Sequence, residues 1–230
     1  DQGYLQSDGM QLQTLLSFGS SYEPFLEIMK SDKDKAARLS NLYDETQNKA
    51  VGFSYISQLV TNGSFQKAFD VFQRLFENKM PGIAHFDLLG DIYNGLGQKE
   101  DALKYYTTYL HKYPQNFEVK NKKAKVLFDL DQDADSLTLF QHSIKQNPQN
   151  NPEAYLFIGK ILTKLKNSEA LDHLILANRQ SPNNPEVLLS VAQLYEKTNR
   201  RAEAIKFYQL AEHFGSTYHG LKFKIATLGK

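Results

Sequence analysis

Small and large apolar side chains recur along most of this chain on a ruler of 34 residues. Small residues stand at Ala68, Ala102, Ser136, Ala170 and Ala204, and four residues after each comes a large one: Phe72, Tyr106, Phe140, Leu174 and Tyr208. Prolines at Pro81, Pro114, Pro148 and Pro182 keep nearly the same step, as do the turn-type residues Gly63, Gly97, Asp131 and Asn199. Four coincident ladders predict a repeated pair of amphipathic helices joined by a tight turn. The alanine ladder lets the second helix lie close on the first, where a larger side chain would push the two apart. Gly63 and Gly97 suit a left-handed residue after the first helix; Asp131 and Asn199 are the other types that best tolerate that conformation. Asn151-Pro152-Glu153 and Asn184-Pro185-Glu186 read as N-cap, first-turn proline and a carboxylate facing the helix dipole.

The middle unit is the clearest: Phe86, Leu89-Gly90, Tyr93, Gly97, Ala102, Tyr106 and Pro114 follow one another in fixed order. This order resembles the tetratricopeptide repeat family, and the resemblance covers about Lys49 to Ser216 in five units. Tryptophan is absent, and the first unit has Gly52 and Ile56 where the family prefers an aromatic and a small residue. In the fourth unit, Pro148 to Pro152 is one residue longer than Pro182 to Pro185, and Gly159 to Ala170 one shorter than Gly90 to Ala102. Its first helix is therefore shifted by one position, with Tyr155, Ile158, Gly159 and Leu162 on the packing face.

The implied fold class is an all-α, right-handed superhelical solenoid of about five helix-turn-helix repeats with non-repeat helices at both ends. The expected units are 49–82, 83–116, 117–150, 151–184 and 185–216. Residues 1–48 are off the ruler and are expected to form a helical capping segment. One helix contains Met10, Leu12, Leu15, Leu16 and Phe18, and a second contains Phe25, Leu26, Ile28 and Met29. A third, near Asp34, carries Ala37, Leu39, Leu42 and Tyr43 towards the first repeat. Residues 217–230, with Tyr218, Leu221, Ile225 and Leu228 at helical spacing, are expected to form a terminal cap.

The resemblance implies that the first helix of each unit lines a concave groove. Residues there that packing does not require are Phe53 and Ser57 in the first unit, and Asp87, Asp91 and Asn94 in the second. The third gives Asn121, Lys125 and Phe128, the fourth Leu156, Lys160 and Lys164, and the fifth Gln193, with Glu196 beside it. This groove reads as acidic, then basic, then mixed. A partner segment with an acidic stretch opposite Lys125 and Lys160 would match it. The lysine/asparagine/arginine clamp with which chaperone-binding relatives hold a C-terminal carboxylate is missing, since its places hold Phe53, Ser57, Leu88, Glu118 and Lys122.

Composition narrows the chemistry. The 230 residues contain 27 Lys and Arg against 26 Asp and Glu, a balance unlike that of a surface built for polyanions. Lys120, Lys122, Lys123 and Lys125 form one basic run, but on a helix they point to at least two faces and do not recur in neighbouring units. No nucleic-acid partner is expected. With no cysteine there is no disulfide, thiolate zinc site or cysteine nucleophile. Asp129 to Asp135 superficially resembles a calcium loop, yet Ala134 and Phe140 stand where glycine and a bidentate Glu are needed. His111 and His213 occupy equivalent places in distant units and read as surface residues. No phosphate-loop, dinucleotide or nucleophile-elbow motif occurs. The expectation is a non-enzymatic scaffold, without metal or cofactor, that binds a peptide or helix of a partner protein. The alternative is an assembly subunit that docks or self-associates through its N-terminal helices or convex face. A chain that opens on Asp1 reads as a processed or trimmed product, and bacterial cytoplasm and envelope both remain open. No membrane contact is expected within the chain, since no apolar run approaches the roughly 18 residues of a span.

Overall fold

A computed structural model describes residues 35–229, apart from residue 78, and the chain divides into two compact units, Asp1–Ala102 and Leu103–Lys230. The helices expected around Met10 and Phe25 lie outside the described residues. In the first unit are α1 (Lys35–Thr46), α2 (Lys49–Thr61), α3 (Phe65–Leu75), a 3-10 turn at Ile83–His85 and α4 (Phe86–Gly95). The division falls inside α5 (Lys99–Lys112). The second unit continues with α6 (Phe117–Asp129), α7 (Asp133–Gln146), α8 (Pro152–Lys164), α9 (Ala170–Gln180), α10 (Pro185–Lys197), α11 (Arg201–His213) and α12 (Leu221–Leu228). The described residues contain no strand, and no helix among them is long and apolar enough to cross a membrane. Consecutive helices pack pairwise: α2 with α3, α6 with α7, α8 with α9, and α10 with α11.

Turn chemistry explains why the first helices stop where they do. Gly63, Gly97, Asp131 and Asn199 all have positive φ, as their spacing predicts. Lys166, with φ 55°, is the fifth member and confirms the one-residue shift of the fourth unit. Each turn closes with the same pair of backbone hydrogen bonds; at α8 these are Asn167 N–H to Leu162 O and Lys166 N–H to Thr163 O. These are the Schellman contacts that satisfy the last carbonyls of a helix. At the opposite ends, Asn48, Asn116, Asn151 and Asn184 accept from backbone N–H groups of α2, α6, α8 and α10.

The small-residue ladder and its large partners are buried throughout, as expected. Ser136 fits the alanine ladder because its hydroxyl donates to Ala124 O at 2.8 Å. Gly159 marks the tightest approach in the second unit. A Cβ there would stand 2.6 Å from the buried Leu174 side chain, so α8 and α9 meet through the missing methyl. In the first unit Gly52 plays the same part, since an added Cβ would meet Tyr43 of α1 and Leu75 of α3, each at 2.9 Å. The departure from the family pattern at Gly52 thus makes room for α1, whose Leu39 and Tyr43 are buried. Gln47, with φ 51°, and the Asn48 cap separate α1 from α2.

Candidate functional site

The proline-started helices set the site in the second unit. Asn151-Pro152 and Asn184-Pro185 place Glu153 and Glu186 in the first turns of α8 and α10, where the helix dipole favours a carboxylate. Each carboxylate meets a lysine from the first helix of the preceding pair. Lys125 Nζ donates to Glu153 Oε1 at 2.8 Å, and Lys160 Nζ pairs with Glu186. Beneath the lysines lie aromatic rings. The Lys125 and Lys160 ammonium groups stand 5.6 and 4.7 Å from the Phe157 centroid, and Lys164 stands 4.2 Å from that of Phe128. Phe157 meets Phe128 edge-on at 5.2 Å and stacks on Phe140 at 5.3 Å, which fixes its ring in place. Partly exposed ion pairs contribute about 0–1 kcal/mol each, and lysine–ring contacts at such sites about 0.5–1 kcal/mol. The ladder therefore adds little to stability and mainly fixes where charges stand.

Lys164 Nζ also reaches Asp131 at 3.1 Å and Asp133 at 3.2 Å. Burial lowers its affinity for the proton, but the hydrogen bonds and charges of Asp131 and Asp133 outweigh that and raise its pKa. Two of the aspartates that superficially resembled a calcium loop, Asp131 and Asp133, thus serve a lysine. Among the described residues no group of three or more His, Asp or Glu side chains could hold a metal.

Other expected groove residues separate into exposed and covered. Ser57 is exposed, while Asp87, Asp91, Asn94 and Gln193 are half-buried. Phe53 stacks on His85, with centroids 4.2 Å apart, and meets Phe76 at 5.8 Å. Burial lowers the His85 pKa against the opposing charge of Asp87. Two residues require correction. Asn121 and Leu156 are buried, and neither is offered to a partner. Leu156 is covered because α8 lies against α6, α7, α9 and α10, so that its side chain is buried between helices. Asn121 is covered because its amide donates to Asn151 Oδ1 at 2.7 Å. Glu196 also turns from the candidate face, accepting from Tyr208 and pairing with Lys224 of α12 at 3.0 Å. The basic run is likewise divided: Lys120 donates to Gln146 Oε1 at 2.7 Å, Lys123 is half-buried and Lys125 is held by Glu153. His111 and His213 are exposed.

Sequence reasoning passed over Phe157, although it lies three residues before Lys160, one turn away on the same face. It also missed the polar cluster around Asn151. There Asn151 Nδ2 donates to Ser143 Oγ at 2.8 Å, and Asn151 N–H donates to Gln180 Oε1 at 2.8 Å. Its signal was present in the polar residues at core positions.

Two tetratricopeptide-repeat family models match the chain, at residues 86–116 and 185–212. No match was found among curated proteins. Among solved structures, a thermophilic tetratricopeptide-repeat protein of Thermus thermophilus is 18% identical, with a TM-score of 0.65 over 79% of this chain and 98% of that one. PilF of Pseudomonas aeruginosa is 16% identical, with a TM-score of 0.66 over 79% of this chain and 84% of its own. YrrB, described as having an unusual peptide-binding site, is 16% identical, with a TM-score of 0.55 over 84% of this chain and 99% of its own. Repeat spacing, paired helices and both model matches agree: the chain carries tetratricopeptide repeats at residues 86–116 and 185–212 and shares the fold of tetratricopeptide-repeat proteins.

Proposed function

We propose that the chain is a non-enzymatic protein-interaction scaffold that binds a peptide or helical segment of a partner along the first helices of its second unit. The supporting observation is the ladder of Lys125, Lys160 and Lys164 over Phe157 and Phe128. Each lysine is fixed by an intramolecular carboxylate, so side-chain entropy is already spent before a partner arrives. An acidic segment would exchange with Glu153 and Glu186 for the lysines while its apolar side chains met the half-buried Phe128 ring. The peptide-binding site named for YrrB lends the fold precedent for such a ligand. The test is affinity capture from the native source with wild type and with Lys125→Glu/Lys160→Glu. Partner retention by wild type and loss by the variant is expected, whereas equal retention would sink the reading.

A second reading, an assembly contact, is favoured by exposed apolar side chains at the C-terminal end of the second unit. Phe223 is 77% exposed on α12, and Tyr218 is 41% exposed just before it. Sedimentation of wild type and Phe223→Ser over a range of concentrations distinguishes this reading, which predicts a mass that falls in the variant.

A further inference from the structure

A cavity of about 660 Å³ opens in the second unit at the far end of α8, between its turn into α9 and the end of α10. Four cations line it: Lys164 and Lys166 from the α8–α9 turn, and Lys197 and Arg200 from the end of α10 and the turn after it. No lining residue carries a carboxylate. Leu171 and Leu194, both half-buried, provide an apolar wall. The four cations do not stand alike. Lys164 is held by Asp131 and Asp133, and Arg200 donates to Glu203 from Nε at 2.9 Å. Lys166 and Lys197 are exposed and have no carboxylate partner within ion-pair distance among the described residues. The left-handed φ of Lys166, unusual for lysine, sets its backbone at this turn.

We propose that this cavity, which adjoins the lysine ladder at Lys164, is a second recognition site for a peptide in which an Asp or Glu lies next to a large apolar residue. The carboxylate would pair with Lys166 and Lys197, and the neighbouring side chain would rest against Leu171 and Leu194. Charge complementarity selects an anion, because the lining is wholly cationic among its charged groups. The leucines select an anion with an apolar neighbour, since inorganic phosphate would leave that wall wet. No aromatic side chain lines the cavity, so it lacks the stacking platform with which single-stranded nucleic acids are held.

A phage-displayed library of random dodecapeptides, selected in parallel on three proteins, tests the assignment. The proteins are wild type, Lys166→Glu/Lys197→Glu and Lys125→Glu/Lys160→Glu, each checked for an unchanged helical circular-dichroism melt. Wild type and the ladder variant should enrich peptides with Asp or Glu beside Leu, Ile, Phe or Trp. Synthetic copies should bind at least tenfold more weakly to Lys166→Glu/Lys197→Glu and when their acids become amides. Peptides without that pairing, or peptides that bind the cavity variant as well as wild type, would overturn the proposal. Binding lost only in the ladder variant would assign these peptides to the ladder instead. Displacement of the selected peptides by a dodecathymidylate at lower concentration than by the unlabelled peptide would make the cavity a nucleic-acid site. If the cavity variant alone fails to fold, Lys166→Gln/Lys197→Gln replaces it under the same criteria.

Discussion

The Asn121 side-chain amide on α6 donates to Asn151 Oδ1 at 2.7 Å, so the residue that caps α8 is held from the preceding helix pair. The same oxygen accepts from Ala154 N–H, and the Asn151 amide donates to Ser143 Oγ. One buried side chain thus closes a helix end and joins α6, α7 and α8. Replacing Asn151 by Ala should cost about 1 kcal/mol for the lost cap and a further 1–3 kcal/mol, roughly, for buried groups left unpaired. Asn121→Leu should cost less, because Asn121 Oδ1 has no partner among the described residues and its loss frees no second acceptor. Urea unfolding midpoints check the order; an equal or reversed order contradicts the cluster's role.

Gly159 should resist even alanine. A helix interior ordinarily gains about 1 kcal/mol from Gly→Ala, but here the new methyl would stand 2.6 Å from Leu174. Overpacking of that kind costs about 1–3 kcal/mol. Gly159→Ala should therefore lower the melting temperature, and Leu174→Ala added to it should cost less than Leu174→Ala alone. A rise in melting temperature for the single variant would refute the close approach.

Lys166 offers the opposite case. Its φ of 55° places a non-glycine side chain in the left-handed region, at about 1–2 kcal/mol. Lys166→Gly relieves that and concedes some unfolded-state entropy, so a net gain of up to about 1 kcal/mol is expected. Gly97→Ala, at φ 79°, should move stability in the other direction. Both are readable by chemical denaturation.

The tie between α12 and the last repeat should depend on pH at both extremes. Burial would raise the Glu196 pKa, but hydrogen bonds from Tyr208 and Lys224 and the charge of Lys224 outweigh it and hold the carboxyl below its usual 4.5. Its contribution is therefore complete above about pH 4.5 and is lost as pH falls through the lowered value. Tyr208 is raised, first by burial and then by the hydrogen bond and charge of Glu196. Its contribution is complete below pH 10, the usual tyrosine value, and declines as pH rises through the raised one. Glu196→Gln should flatten the acid arm of a stability–pH curve, measured by urea unfolding at each pH, and shorten the alkaline arm. An unchanged acid arm would show that Glu196 carries none of it.

Much of the fold was legible because its signals are local. A left-handed residue ends a helix wherever glycine, asparagine or aspartate supplies it, and Gly63, Gly97, Asp131 and Asn199 announce four such turns. The fifth, at Lys166, follows from counting residues and not from residue type. The caps at Asn151 and Asn184 are equally local, since each accepts hydrogen bonds within its own first turn.

By itself the sequence determined the repeat length, the helix ends, the buried ladder from Ala68 to Ala204 and the family it resembles, because each depends on neighbours a few residues away or on exact periodicity. Only the tertiary structure decided which first-helix residues remain available. Asn121 and Leu156 occupy positions that a lone amphipathic helix would show to solvent, and packing between pairs covers both. It also decided that Lys125 meets Glu153 and Lys160 meets Glu186, partners 28 and 26 residues away. Those distances are set by how one helix pair stacks on the next, which no window along the chain contains.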